Sequence, residues 1–439
     1  MSVYPFLGMR GTGDWTDSDM RPKNWRQKIF QLYPNGAMPL TAIMSMLSEE
    51  STDDPQYYWW NQDFPSQGGD ITAGEVYTNV GLSSAYASGG VAGQTVYVKM
   101  AEAVCKEFRA GHTAILLDQS DYSMTVIGII TTRVLAGASS YVGFKLIEAD
   151  DNSYGAANTM ANADRILIIG NVNEEGAEMP DAIAYDPVKL YNYTQIFRTP
   201  LEITRTAKKT RLRTGDAYKK AKREALEMHG IEIEKAMIFG ERYESTGDGG
   251  KPIRLTRGLL RSITTKSAMV TPGTYDFSAA TAYSGKTWVE SGEDWLDDMC
   301  EDLFKYGATE RFGLSGSGAI KGINRLVKNL GQYVFTTQTK SYGIKVTEWV
   351  TPYGTIYLKS HPLFSHEASF NNTITLFEPK NLVYRYVDDT FFKRDDGERK
   401  GGQTNRDGTK DEYLTECGME QHNEKAHMFL AGVGEDNAL

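Results

Sequence analysis

The sequence predicts a mixed α+β fold made of several lobes. Three observations carry that prediction. Short segments rich in Val, Ile, Tyr and Thr recur between residues 68 and 170, separated by polar tips. One long stretch, residues 214–239, has a helical apolar period and helix-type ends. Beyond residue 290, amphipathic helical runs alternate with short strand-like runs.

The length, 439 residues, is about three times what one domain usually takes, so two or three lobes are expected. Hydrophobic residues make up 40% and charged residues 24%, too apolar for general disorder. A net charge of −10 argues against bulk electrostatic binding of phosphate backbones. Cys105, Cys300 and Cys417 lie far apart with no C-x-x-C pair, which excludes a disulfide framework and a Cys-rich zinc site. No window approaches the roughly 18–20 apolar residues of a membrane span, so no membrane partner is expected. The start, MSVYPFLGMRGTGDWTDSD, is acidic and Gly-rich and lacks a signal peptide's basic and apolar regions. Synthesis in the cytoplasm is the expectation.

In chain order, residues 1 to about 60 hold four of the seven tryptophans, Trp15, Trp25, Trp59 and Trp60, with little periodicity beyond a short apolar helix at 37–47. Indoles in such an arm need a cover, either this chain's own body or a neighbouring subunit. Strands are expected at 95–99, 124–133, 141–147 and 165–169, joined as hairpins because their tips are polar and short. Met100, Ala101, Val104, Cys105 and Phe108 recur at helical spacing and predict a helix across 98–111.

The long helix should start at an N-cap near Thr214, carry Asp216 in its first turn and stop at Gly240. Steps of about 100° put Tyr218, Ala221, Ala225, Leu226, Met228, Ile233, Ala236, Met237 and Phe239 on one arc, with Ile231 and Ile238 opposite. Helices are expected at 292–306 and 318–330, and strands at 344–350, 355–359, 373–377 and 382–386. The charged, Gly-rich run 388–412 reads as an exposed loop.

The sequence carries few catalytic patterns. The six histidines, His112, His229, His361, His366, His422 and His427, match no zinc spacing, so each reads as a structural or surface residue. The Gly-rich stretches 8–13 (GMRGTG) and 313–318 (GLSGSG) lack the strand context or the lysine of a phosphate loop. Acidic residues are plentiful, yet nothing makes any pair converge. No catalytic centre, cofactor or metal is expected.

One electrostatic feature stands out. Residues 198–223 hold ten basic side chains (Arg198, Arg205, Lys208, Lys209, Arg211, Arg213, Lys219, Lys220, Lys222, Arg223) and two acids, a net +8 that leaves the rest at −18. Such a strip can dock an acidic surface of a sister subunit, touch nucleic acid without sequence choice, or stay solvated.

Four segments carry a family resemblance: 192–197 (NYTQIF) with 201–207 (LEITRTA), 232–240 (EIEKAMIFG), 354–363 (GTIYLKSHPL), and 413–416 (YLTE) continuing to 423–427 (NEKAH). A looser fifth is 56–63 (QYYWWNQD). In order and spacing the chain resembles the major capsid proteins of tailed bacteriophages, with the Hong Kong 97-type capsid fold.

That resemblance implies an N-terminal arm at 1–65, the start of the body (P-domain) at 66–112, and a β-rich E-loop region at 113–205. The last of these is either an extended E-loop or has an insertion beside it. A P-domain with the spine helix 214–239 follows at 206–259, then an A-domain at 260–380 and return strands with the C-terminal segment at 381–439. It implies a structural subunit with no catalytic centre, forming hexamers and pentamers of an icosahedral head in the virion. Portal, scaffolding or decoration proteins would be further partners, and packaged DNA only a weak, non-specific one.

Trp15, Trp25, Trp59, Trp60, Arg205, Lys208, Lys209, Arg211, Arg213, Lys219 and Lys220 are the candidate inter-subunit contacts. Some relatives join subunits covalently through a Lys and an Asn beside an acid; here non-covalent assembly is expected. The alternatives are another virion component, the shell of a related compartment, or an enzyme with an acidic cleft near Glu348 or Glu367.

Overall fold

A computed structural model describes residues 48–62, 65–119, 125–150, 159–176, 178–210, 216–264, 273–329, 339–341, 344–395 and 408–439. Trp15, Trp25, Arg211, Arg213, the helix expected at 37–47 and the cap expected at Thr214 lie outside them. The chain divides into two compact units, Trp60–Val188 and a second made of Met1–Trp59 with Lys189–Leu439.

The unit Trp60–Val188 is a seven-stranded antiparallel sheet. Its strands run in the spatial order Gly68–Asp70, Arg165–Asn171, His112–Leu117, Thr125–Val134, Tyr141–Leu146, Thr95–Lys99, Val76–Tyr77. Alternation is the reason: in Thr95–Lys99 only Val96 and Val98 are buried, as a half-covered strand requires. Phe108, Phe144, Met160 and Ile166 fill the core beneath it. The hairpin reading of this region agrees with the sheet. The helix expected across 98–111 shrinks to four residues, Glu102–Cys105. Met100, Cys105 and Phe108 are buried as their spacing suggested, but the strand Thr95–Lys99 runs into the front of the segment and leaves no length for more turns.

The other unit holds a four-stranded sheet in the order Glu49–Ser51, Leu382–Asp395, Gly408–Gln421, Gln195–Thr204. A separate two-stranded sheet pairs Gln56–Asn61 with Val188–Tyr193. The two ends of the run 388–412 are therefore strand and not exposed loop. Residues 388–395 and 408–412 belong to two antiparallel 14-residue strands, and 396–407 lies outside the described residues. Charged side chains on it find partners across the strands, Lys393 with Glu412 at 3.5 Å and Lys410 with Glu202 at 2.5 Å, while Asp411 is buried and accepts from the Tyr218 hydroxyl. A charged ribbon is thus stabilised where composition alone suggested solvent.

The long helix is Ala217–Phe239, 23 residues or about 35 Å. Asp216 is its N-cap, accepting from the backbone N–H of Tyr218 at 2.9 Å and Lys219 at 3.4 Å. Its first half is covered on one side only, by Leu201 and Tyr413 of the sheet against Tyr218, Ala221 and Ala225. Leu226 and Met228, expected on the buried arc, are therefore 47% and 57% exposed. Its second half is enclosed by Phe312, Phe364 and Phe377, so Ile238, expected opposite the core, is buried.

A second seven-stranded sheet, mixed in direction, runs Thr274–Asp276, Met428–Ala431, Ile374–Phe377, Glu310–Ser315, Thr355–Ser360, Ile344–Val350, Thr339–Ser341. The helices Trp288–Phe304 and Ser317–Asn329 contribute Trp288, Trp295, Leu296 and Ile323 to a core with Ile356, Leu358 and Leu376 from its strands. The first of them starts earlier than its expected 292 because Thr287 and Glu290 form a capping box.

Candidate functional site

The basic strip begins on the strand Gln195–Thr204, turns through the short helix Arg205–Lys209 and resumes on the long helix. Acids outside the 198–223 window neutralise much of it. Arg198 is bound by both oxygens of Glu412, Nε to Oε2 at 2.9 Å and Nη2 to Oε1 at 2.7 Å. Partial burial works to raise the Glu412 carboxyl, but the hydrogen bonds and charges of Arg198 and Lys393 outweigh it and hold it below its ordinary value. On the helix, Lys220 faces Glu224 at 3.7 Å and Arg223 faces Glu227 at 3.0 Å, both one turn on.

Two lysines lie over rings, Lys208 at 4.9 Å from the Tyr218 centroid and Lys222 at 3.8 Å from that of Phe392. Lys209 and Lys219 are exposed and have no acidic partner among the described residues. The positive charge left without an acidic partner is thus a narrower cluster around Lys208, Lys209 and Lys219. Arg205, also exposed, sits at the start of the short helix beside them.

Of the arm's tryptophans, Trp60 is 60% exposed, whereas Trp59 is half-buried and stacks on Tyr57, ring centroids 6.1 Å apart. The adjacent Tyr58 is also exposed, with the Lys189 ammonium 3.7 Å from its ring centroid. A further apolar surface was not singled out in the sequence. The strands Tyr243–Thr246 and Pro252–Leu255 form a two-stranded ribbon in which Tyr243 pairs with Leu255 and Ser245 with Ile253. That register puts Tyr243, Leu255 and Ile253 on one face, 53%, 36% and 51% exposed, and leaves Glu244 and Arg254 joined on the other at 2.9 Å. Two strands alone are marginal in water, and an uncovered apolar face on them marks a contact surface.

Behind the strip lies a buried polar chain. His229, on the long helix, faces Thr199 through Nδ1 at 2.9 Å and Thr415 through Nε2 at 2.7 Å, and Thr199 donates to Glu232 at 2.9 Å. Burial depresses the His229 imidazole below its usual range, against the opposing charge of Glu232. One turn further, Glu234 accepts from His361 Nε2 at 2.9 Å, both side chains fully buried. His361 Nδ1 accepts from the Leu363 backbone N–H at 3.1 Å, so the ring proton sits on Nε2 and the imidazole is neutral. This pair ties the helix to the end of the strand Thr355–Ser360. Partners 127 residues apart leave no local sequence signal.

The stretch 313–318 is a strand-to-helix turn already filled by protein. The Asn371 side-chain Oδ1 accepts from Gly318 N and Ser317 Oγ, both at 2.9 Å, and a Cβ at Gly318 would collide with Asn372. Among the described residues no group of three or more His, Cys, Asp or Glu could hold a metal ion, and no helix is long and apolar enough to cross a membrane. The arrangement offers surfaces and clamps.

Residues 9–434 match the family described as SU10 major capsid protein. The major capsid protein of Pseudomonas phage PaMx41 is 26% identical over 262 residues, a stretch that spans 58% of this chain and 58% of that relative's length. Among solved structures, one of Mycobacterium phage Cain is similar with a TM-score of 0.44 and 8% identity, covering 92% of this chain and 90% of that one. The capsid of a native GTA particle is similar with a TM-score of 0.41 and 8% identity, covering 98% and 100%.

Proposed function

Because the chain belongs to the SU10 major capsid protein family, we propose that it is the structural subunit of a tailed-phage head, assembling with itself into hexamers and pentamers that close an icosahedral shell around double-stranded DNA. The family match over residues 9–434 carries this reading. The protein is a phage major capsid protein, a component of the virion, with the α+β architecture and Hong Kong 97-type fold that its motifs implied.

The long helix Ala217–Phe239 serves as the spine of the P-domain, and the mixed seven-stranded sheet with its two helices as the A-domain. The β-rich unit Trp60–Val188 contains most of the E-loop region. Neighbouring subunits meet at Trp60, at the apolar face Tyr243, Ile253 and Leu255, and at Arg205, Lys208, Lys209 and Lys219. The lysines dock on an acidic surface of a second copy, because the chain outside the strip carries a net −18. Many such weak contacts made together give cooperative closure. Portal and scaffolding or decoration proteins complete the head. DNA is enclosed with little adhesion, since the wall is acidic overall.

The test is copy number. In purified particles the chain should be the most abundant protein on a stained denaturing gel, in large excess over portal-type components. A stoichiometry of a dozen copies or fewer per particle would overturn the reading.

A further inference from the structure

One cavity in the unit that holds the long helix carries chemistry that shell building does not use. It measures about 20 Å³, room for one water-sized or single-ion occupant, and is lined in part by Trp59, Arg242, Arg257, Gln421 and Glu424. Six buried side-chain polar atoms among the described residues lack a hydrogen-bond partner, and four belong to this lining: Trp59 Nε1, Arg257 Nε, and Nε2 and Oε1 of Gln421. Gln421 is 2% exposed, so bulk water does not serve its amide. Three of the four are donors, Trp59 Nε1, Arg257 Nε and Gln421 Nε2, and their residues surround one small space, which indicates a shared partner for the donors rather than separate defects.

The polarity of the lining identifies that partner. Indole and guanidinium N–H groups only donate, and the amide of Gln421 can turn its NH₂ to the same point. Two guanidinium charges, Arg242 and Arg257, border the space. Burial and then the charge of Arg257 lower the Arg242 pKa, which marks a locally positive site. The acids nearby are engaged elsewhere or are few: Glu241 meets Arg257 Nη2 at 3.5 Å and Arg261 at 3.7 Å, and Glu424 is the one carboxylate in the lining.

The walls are fixed in advance by Asn192. Its Oδ1 accepts from Arg257 N and Tyr193 N, both at 2.9 Å, while its Nδ2 donates to Met419 O at 2.8 Å. Arg242 is held by donation to Tyr191 O at 2.8 Å and by the Tyr191 ring beneath it, 3.9 Å to the centroid.

We propose that this cavity binds one small monatomic anion of the halide class, held by Trp59 Nε1–H, Arg257 Nε–H and the amide of Gln421. Nucleotides are excluded by size. The ion would join the strand Gln56–Asn61, the segment after the exposed ribbon and the end of Gly408–Gln421. The proposal stands independently of the capsid reading, because it concerns the single subunit.

Bromide is the probe. The full-length subunit should unfold at a temperature that rises with bromide concentration by mass action, while gluconate at equal ionic strength leaves it unchanged. Crystals grown in bromide should show an anomalous peak among Trp59, Arg257 and Gln421. Trp59→Phe, which removes one donor, should shift the bromide response to higher concentration. Gln421→Glu, which supplies a fixed negative charge, should make the response flat. Equal midpoints in bromide and gluconate, or a cavity density without anomalous signal, would assign the site to an ordered water and overturn the proposal. Should Gln421→Glu fail to fold, the Trp59→Phe titration and the anomalous map decide the matter without it.

Discussion

Replacing Glu234 is the sharpest stability test. Its carboxylate is fully buried and accepts the Nε2 proton of an equally buried His361 at 2.9 Å. The imidazole cannot relax by moving that proton, because Nδ1 already accepts from Leu363 N at 3.1 Å. Glu234→Ala therefore leaves a buried N–H facing a void. Leaving that donor unsatisfied costs about 1–3 kcal/mol, and the emptied volume adds to it. Glu234→Gln keeps an acceptor oxygen of the same reach, fills the volume and loses the charge assistance, so it should cost less, about 1 kcal/mol.

The assay is urea unfolding of unassembled subunits, followed by tryptophan fluorescence, with Trp288 and Trp295 buried in the neighbouring core. A double-mutant cycle with His361→Asn, which can still accept from Leu363 N, should give a coupling energy of about 2 kcal/mol or more. Equal costs for the Ala and Gln variants, or a coupling near zero, would refute the reasoning.

Other outcomes follow from the same geometry. His427 is buried with Nδ1 accepting from Glu378 N at 3.3 Å and Nε2 on His422 O at 3.0 Å, and burial depresses its pKa from 6.5 to about 4. The unfolded chain binds that proton first. Its contribution is therefore complete above pH 6.5 and lost as pH falls from 6.5 to 4, about 3 kcal/mol in all, and His427→Asn should flatten that part of the stability profile. Trp288 is fully buried and donates to Gly322 O at 2.9 Å, so Trp288→Ala should cost about 3–5 kcal/mol in the same urea assay. Reversing the charges of Lys208, Lys209 and Lys219 together should cost subunit stability no more than about 1 kcal/mol, the Lys208–Tyr218 contact, while slowing assembly measured by light scattering, most strongly at low salt. Mature particles should run as a single monomer band on a reducing denaturing gel; a ladder would show covalent joining.

The spine helix was legible because its period needs no distant partner, down to Gly240 as its stop. Its start was misplaced by two residues because Thr214 and Asp216 are both able caps and only tertiary placement selects Asp216. The exposure of Leu226 and Met228 was not legible, since the cover on the helix changes from one side to several along its length. The run 388–412 misled because charge and glycine suggest loops, whereas Glu412 is joined to Arg198, 214 residues away. In the candidate site, the positive strip was visible in the chain, but which of its charges stay available depends on acids that only the sheet brings near. The buried clamp Glu234–His361 and the cavity at Gln421 were hidden for the same reason.

The most direct test of the central claim is negative-stain microscopy of the recombinant protein after size-exclusion chromatography. The account predicts closed shells, tubes, or rings of five and six. A uniform monomer or dimer across salt and concentration would contradict it.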